Sequence, residues 1–398
     1  MSVAALPARS LRCPQFDLGL LAAAAVLASL GLVMVASASI SIADRETGQP
    51  FFFIVRQALY LLVGILLGMA AFRLRLAVWS RAGMVALFLA LGLLLLVLVP
   101  GVGKTINGST RWVGFGPFNL QVSEPAKLLV LIYLSGYLVR RAGEVREQVS
   151  GFLKPMAVLG LVCILLLAEP DFGATVVLLA TALTLMFLAG VRWWQFAILL
   201  AVAAGLMALL AVTSPYRMAR LTTFLNPWAD PFDSGFQLTQ SLIAIGRGEW
   251  FGVGLGAGVQ KLFYLPEAHT DFVFAVLAEE LGLLGVLLVI GLYAFFVYRA
   301  FAIARTAQLA NEPFAGYLAY GIGTWIGLQA FINMGVNMGL LPTKGLTLPL
   351  LSYGGSSLVV MCIAVALLLR IDYETRCSVY TLTADRTRAR KRRGGVRR

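Results

Sequence analysis

A chain of 398 residues that is 60% hydrophobic and only 13% charged, with a mean hydropathy of +0.86, is too apolar for an ordinary soluble enzyme. Its single histidine and its four scattered cysteines exclude a zinc site built from His and Cys and give no disulfide framework. The net charge of +13, much of it in the basic tail from Arg386 to Arg398, is read as a topology anchor that favours anionic headgroups rather than as nucleic-acid binding.

About 20 residues are needed to cross the hydrocarbon core. Ten apolar stretches are predicted as spans, at 17–39, 51–72, 80–99, 123–139, 155–168, 172–190, 193–212, 272–298, 314–341 and 350–369. Ala36-Ser37-Ala38 imitates a signal-peptidase site, but the apolar run before it is too long for a secretory leader, so the first span is read as a retained anchor. With both termini cytoplasmic, the inside segments hold 22 of the 32 Lys and Arg and the outside segments 9, the positive-inside bias. Cys13 and Cys377 then lie on the reducing side and Cys163 and Cys362 within spans. The fold class is therefore an all-α polytopic membrane protein of about ten transmembrane helices with a large outer loop between helices 7 and 8. The domain plan is a cytoplasmic segment 1–16, a ten-helix membrane domain 17–371 carrying the loop 213–271, and a basic cytoplasmic tail 372–398.

The outer loops at 100–122, 213–271 and 341–349 are long or polar, while the inner ones are brief and basic, so the functional surface is expected outside. Within 213–271, residues 236–245 alternate apolar and polar positions as a short interfacial helix would. Two nucleotide-site lookalikes fall away. Gly103-Lys104-Thr105 has Leu98 where a P-loop needs its leading glycine, and Gly252, Gly254, Gly256 and Gly258 follow no strand. The glycines are read as a flexible or re-entrant loop.

Ionisable groups in a bilayer need a partner or a purpose. Asp271 opens the eighth span, two residues after the only histidine, His269, and four after Glu267. Two readings stay open there: a general base at the water boundary, or an ordinary helix start with Thr270 or Asp271 as cap. Glu124 and Lys127, three apart at the start of the fourth span, share a helix face, as a structural pair or as a cation held for an anionic substrate. Gln329, Asn333 and Asn337 form one stripe, suited to gluing helices or to lining a wet cavity toward Lys344. Glu279 and Glu280 lie roughly 80° and 180° around an ideal helix from Asp271 and are assigned to helix packing or lateral polar contacts. Arg111, Arg217 and Arg220 add outer cations suited to a diphosphate.

These residues resemble a known family. KLFYLPEAHTDF at 261–272 is similar to the hallmark of the SEDS family (FtsW/RodA), supported by LPTKGLTLP at 341–349, SYGGSS at 352–357, NGSTRW at 107–112, EPDFG at 169–173 and NPW at 226–228. Thr343-Lys344-Gly345 is more similar to the division branch, FtsW, than to the elongation branch, RodA. The resemblance implies a ten-helix glycosyltransferase that polymerises lipid II into a nascent glycan strand at the periplasmic face of the bacterial inner membrane, at the division septum. Its implied partners are a class B penicillin-binding protein (an FtsI-like transpeptidase) and other divisome membrane proteins.

By motif match the essential aspartate falls on Asp271 and the lysine of the last outer loop on Lys344. The paired acid and base of the fourth span fall on Glu124 and Lys127. Arg111, His269, Glu267, Asn333, Asn337 and Ser352 complete the expected substrate-binding set. Two departures stand out: Phe263 where some relatives carry a glutamate, and Glu169 where glutamine is usual, which leaves the role of Glu169 open.

The expected chemistry is inverting transfer with one general base, Asp271, because a polyprenyl diphosphate leaves readily once cations neutralise it. No covalently bound cofactor is expected; a divalent cation, Mg or Mn, bridging diphosphate and carboxylate fits this chemistry without a dedicated cage. A lipid II flippase, a RodA-like elongation polymerase and a non-catalytic division scaffold are the competing readings.

Overall fold

The computed structural model describes residues 16–394 except 107–108, 116–117, 199, 202–204, 206–223, 225, 233–234, 263 and 343–344. The fold is a helical bundle: α1 (Leu18–Thr47), α2 (Phe52–Arg73), α3 (Leu76–Arg81) and α4 (Gly83–Leu98) precede a small sheet. After it come α5 (Ser123–Arg140), α6 (Ala142–Glu147), α7 (Val149–Ala168), α8 (Phe172–Leu188), α9 (Phe236–Gly248), α10 (Val273–Leu309), α11 (Pro313–Asn337) and α12 (Gly355–Gly394). A further helical stretch begins at Trp193, but most of the predicted seventh span falls outside the described residues. Among the described residues, five helices are long and apolar enough to cross a membrane: α1, α2, α7, α10 and the first part of α12. α4 and α8 are apolar but shorter.

α5 and α11 are not in that set, and their placement gives the reason. Ser123, Glu124 and Lys127 of α5 and Gln329, Asn333 and Asn337 of α11 are all buried, and the two helices pack on each other and, between them, on α4, α8 and α10. Helices shielded from lipid by their neighbours can carry polar side chains that meet one another instead of hydrocarbon. α2 lies along α12, and α1 packs on α10.

The expectation of an all-helical chain needs one addition. The loop after α4 folds as a three-stranded antiparallel meander, β1 (Gly103–Ile106), β2 (Ser109–Phe115) and β3 (Phe118–Gln121), with Val113 opposite Leu120 and Trp112 opposite Gln121. The Gln121 amide donates to Ser356 Oγ at 2.9 Å, which ties the sheet to the start of α12. α9 forms where the interfacial helix was expected, and the basic tail continues α12 to Gly394.

The glycine-rich segment after α9 re-enters the bundle and replaces part of a helix ladder. At Gly282 (φ 65, ψ −164) α10 is broken, so Leu283 and Leu284 cannot donate to the carbonyls of Glu279 and Glu280 four residues back. Leu283 N donates to Glu249 O at 2.9 Å and Leu284 N to Trp250 O at 3.2 Å, while the vacated Glu279 and Glu280 carbonyls accept from Val253 N (3.0 Å) and Gly254 N (3.1 Å). The exchange gives new partners to these four backbone groups of the break, as a membrane interior demands. The carboxylates of the same two residues complete it. Glu279 accepts from Val259 N (2.9 Å), Gln260 N (3.2 Å) and Arg247 (3.2 Å), and Glu280 from Gly256 N (3.0 Å), Ser37 Oγ (2.7 Å) and Lys261 Nζ (2.5 Å). The lateral polar contacts expected of Glu279 and Glu280 are these.

A methyl group at Gly282 would lie 2.3 Å from Gly252 N, in a backbone conformation closed to other residues. Gly282→Ala is therefore expected to destabilise by about 1–3 kcal/mol or more. Gly291→Ala, in the same helix with open space around it, should be neutral or slightly stabilising. Melting curves of both variants in detergent check this.

Candidate active site

The site is built around the start of α10. The chain reaches it through a tight turn in which Glu267, at φ 55, accepts on its carbonyl from Thr270 N (3.1 Å) and Phe272 N (3.2 Å), while Thr270 Oγ1 donates to its carboxylate at 2.7 Å. Glu267 is exposed and Asp271 half-buried.

The backbone carbonyl of Asp271 accepts two amide hydrogen bonds from α11, from Asn333 Nδ2 at 2.9 Å and Asn337 Nδ2 at 3.0 Å. Asn337 Oδ1 accepts from Ala275 N at 3.2 Å, a first-turn donor of α10 that it shares with Phe272 O at 3.0 Å. Thus α11, not Asp271, caps the helix. No side chain at the formal cap position bonds the first turn, and the Asp271 carboxylate makes no hydrogen bond among the described residues. Of the two readings left open for Asp271, the capping one finds no bond here.

Burial first, then the negative charges of Glu267 and Asp171, with Arg111 opposing, push the Asp271 carboxyl up to about 7. Asp271 Oδ2 lies 3.1 Å from where a Cβ at Gly345 would sit, so the last outer loop passes directly over the carboxylate. Gly345 was readable only as part of a motif; its lack of a side chain is what permits this approach. Lys344 lies outside the described residues.

The stripe on α11 holds that loop as well. Gln329 Nε2 donates to Thr347 O at 3.0 Å and Asn333 Nδ2 to Leu346 O at 2.5 Å. Buried Ser352 accepts from Leu348 N through Oγ at 2.8 Å, and its carbonyl accepts from Gln57 Nε2 at 3.1 Å. Ser352 thus shapes the loop from within. His269 is buried in an aromatic group, its ring 4.5 Å from Phe53 and 5.4 Å from Tyr353, and its carbonyl accepts from Tyr353 N at 2.9 Å. Burial holds its imidazole below the ordinary value, against the opposing charge of Glu267.

Glu124 and Lys127 form a fully enclosed pair at 2.9 Å. Lys127 Nζ also donates to Gln329 Oε1 at 2.9 Å and sits 5.1 Å from the Trp325 ring centroid. Two of its three donors are used inside the bundle and the ammonium is fully buried, the arrangement of the structural pair rather than of a cation held open at the surface. Gln329 therefore joins α5, α11 and the last outer loop through one amide.

Arg111, on β2, faces the turn between α7 and α8. Nε donates to Glu169 O at 3.2 Å, Nη2 to Pro170 O, and Nη1 stands 3.9 Å from Asp171 Oδ1. Asp171 caps α8 through Ala174 N (3.1 Å) and accepts from Ser123 Oγ (2.8 Å) and Gln121 Nε2 (3.3 Å), joining the sheet to α5 and α8. Glu169, at this turn, is fully buried with no partner for either carboxylate oxygen among the described residues. Burial, aided by Asp171 and opposed by Arg111, pushes its carboxyl up to about 8, so it is mostly neutral at pH 7 and there resembles the glutamine usual in the motif. Arg217 and Arg220 lie outside the described residues. Among the described residues, no three His, Cys, Asp or Glu are grouped so as to hold a metal ion.

The FtsW/RodA/SpoVE cell cycle protein model matches residues 18–377. A protein of Thioalkalivibrio sulfidiphilus described as a probable peptidoglycan glycosyltransferase FtsW is 63% identical over 361 residues, 91% of this chain and 90% of that one. A Legionella pneumophila protein of the same description is 56% identical, covering 91% of this chain and 92% of its own. A solved structure described as the structural coordination of polymerization and crosslinking by a peptidoglycan synthase complex superposes with a TM-score of 0.75 at 31% identity, over 90% of this chain and 98% of that one. The crystal structure of the Thermus thermophilus rod shape determining protein RodA gives 0.67 at 30% identity, over 91% and 97%. With a match over nearly its whole length and relatives of this similarity, the chain belongs to the FtsW/RodA/SpoVE family of cell cycle proteins.

Proposed function

We propose that this chain is a peptidoglycan glycosyltransferase that polymerises lipid II into glycan strands on the periplasmic face during cell division, with Asp271 as general base. The observation that carries the reading is a recessed carboxylate that neither caps its helix nor bonds to a described side chain, while its backbone carbonyl is pinned by Asn333 and Asn337. Such a group has a fixed position and a free lone pair. The names of the relatives support the substrate class, and the 22 to 9 bias of basic residues supports two cytoplasmic termini and ten crossings.

In this reaction Asp271 takes the proton of the acceptor sugar hydroxyl as its oxygen attacks the anomeric carbon of the donor. The glycosidic bond forms as the bond to the diphosphate breaks, and the polyprenyl diphosphate leaves with the electron pair. Lys344 neutralises the leaving group. Arg111 acts by positioning, holding the sheet against the turn at Glu169 and Asp171. Glu124 and Lys127 brace α5 against α11, and Asn333, Asn337 and Ser352 hold the surfaces on either side of Asp271. Glu267 and His269 bound the entrance from the turn before it. A divalent cation, Mg or Mn, would arrive on the diphosphate rather than in a cage of protein carboxylates, and no step here depends on it.

The partner is a class B penicillin-binding protein, an FtsI-like transpeptidase, within the divisome at the septum. Purified protein given labelled lipid II, with and without that transpeptidase, tests the whole reading: polymer supports it, whereas flipping without polymer or neither event replaces it with a transporter or a scaffold.

Asp271→Asn is expected to abolish detectable polymer, a loss of at least about 10²-fold. It should not lower the melting temperature, since no capping bond is lost. The raised carboxyl value gives the sign: its contribution to stability is lost as pH rises through about 7, so at pH 8 the neutral amide should melt at or above the parent. Near-normal polymer from the Asn variant would remove the base assignment.

Lys344→Ala should reduce turnover while leaving the melting temperature within a few degrees of the parent, and Lys344→Arg should rescue only in part. Unchanged polymerisation rates in the alanine variant would remove Lys344 from the reaction.

A further inference from the structure

At the end of the bundle away from Asp271, α1, α2 and α12 leave an apolar cavity of about 590 Å³ between them. Direction along α2 fixes its place: Phe53, near its first turn, packs on His269, whereas the cavity runs from Leu61 to Arg73 at the other end. Twelve residues of helix are about 18 Å, a little over half of a hydrocarbon core of about 30 Å. The cavity therefore spans one leaflet, the one opposite the candidate active site. Its floor is Leu350, and its width comes from the small side chains of Ala25, Ala28 and Gly68.

Its mouth is cationic. Arg73 lines it and, among the described residues, makes no hydrogen bond or ion pair. The other charges nearby are already matched: Asp17 bonds Arg299 at 3.0 Å and stands 3.7 Å from Arg376, and Arg370, 5.6 Å from the Phe72 ring, bonds Glu374 at 2.6 Å. A one-leaflet apolar slot ending, among the described residues, in an unmatched guanidinium has the shape and charge of an amphiphile with an acyl chain and an anionic headgroup. A transmembrane helix of another protein would bring no phosphate to Arg73 and is far wider than the slot.

We propose that this cavity is a binding site for an anionic glycerophospholipid of the cytoplasmic leaflet, its acyl chain between α1, α2 and α12 and its phosphate on Arg73. The site is separate from the lipid-linked substrate site and does not depend on the reaction proposed above.

Native mass spectrometry of the full chain in mild detergent tests it, with phosphatidylglycerol and phosphatidylcholine of identical chains as probes. The parent should retain phosphatidylglycerol about fivefold more strongly, the worth of one basic residue at a membrane surface. Arg73→Gln should bring the two lipids to parity. Ala25→Phe combined with Ala28→Phe should remove retention of both; should that variant fail to fold, the Arg73→Gln arm decides. The site is overturned if Arg73→Gln keeps the preference, or if the parent retains both lipids equally. It is overturned as well if undecaprenyl phosphate displaces phosphatidylglycerol at equal concentration, which would give the slot to the polyprenyl carrier. Crosslinked dimers from Ala25→Cys would make the face a contact between copies and equally overturn it.

Discussion

The two amide hydrogen bonds that Asn333 and Asn337 donate to the carbonyl oxygen of Asp271 set the geometry of this protein's polar interior. They fix the backbone of the residue while leaving its carboxylate unbound, and Asn337 Oδ1 adds one bond to the first turn of α10, from Ala275 N. A side chain that caps its own helix is held by that bond and has less freedom to exchange a proton. Here capping has been moved to a neighbouring helix, which separates the structural demand from the chemical one. The same α11 stripe holds Leu346 and Thr347, so carboxylate and overlying loop share one support.

A wider constraint explains why so many polar residues surround this point. Backbone donors and acceptors inside a bilayer must find partners within the protein. The chain departs from regular helix at the entry to α10 and again at Gly282. At the first, Asn337 shares the Ala275 amide with Phe272 O; at the second, the segment after α9 exchanges four backbone bonds with the broken helix, and the Glu279 and Glu280 carboxylates accept from the amides of Gly256, Val259 and Gln260. The irregular outer segment is thereby anchored to the helix that carries Asp271.

Much of this was legible in the amino-acid sequence because it depends on periodicity. Five long apolar helices, the short helix expected at 236–245 and the stripe of Gln329, Asn333 and Asn337 follow from where apolar and polar residues recur. The motif at 261–272 located Asp271. What could not be read was which partner each polar group takes. Spacing allowed Asp271 to be cap or base; in the fold its side chain makes no capping bond, and Asn337, 66 residues away, bonds the first turn instead. Glu279 and Glu280 were placed around an ideal helix, but Gly282 breaks that helix, and their loop partners are distant from any helical face. The sheet between α4 and α5 was missed although Asn107-Gly108, a strong two-residue hairpin signal, separates its first two strands; strands as short as four residues leave little alternation to read. Lys127 is a similar case, open in the sequence between a structural pair and a substrate cation, and in the fold buried and bonded to Glu124 and Gln329.

The central claim is that Asp271 is a positioned base whose proton affinity is raised by burial and by the neighbouring Glu267 charge. The most direct measurement is the pH dependence of lipid II polymerisation by the parent and by Glu267→Gln. The account predicts a parent rate that rises with pH around a midpoint near 7 and a midpoint shifted to lower pH once the Glu267 charge is gone. A parent rate that is flat between pH 5 and 8, or a midpoint that Glu267→Gln leaves in place, would contradict it.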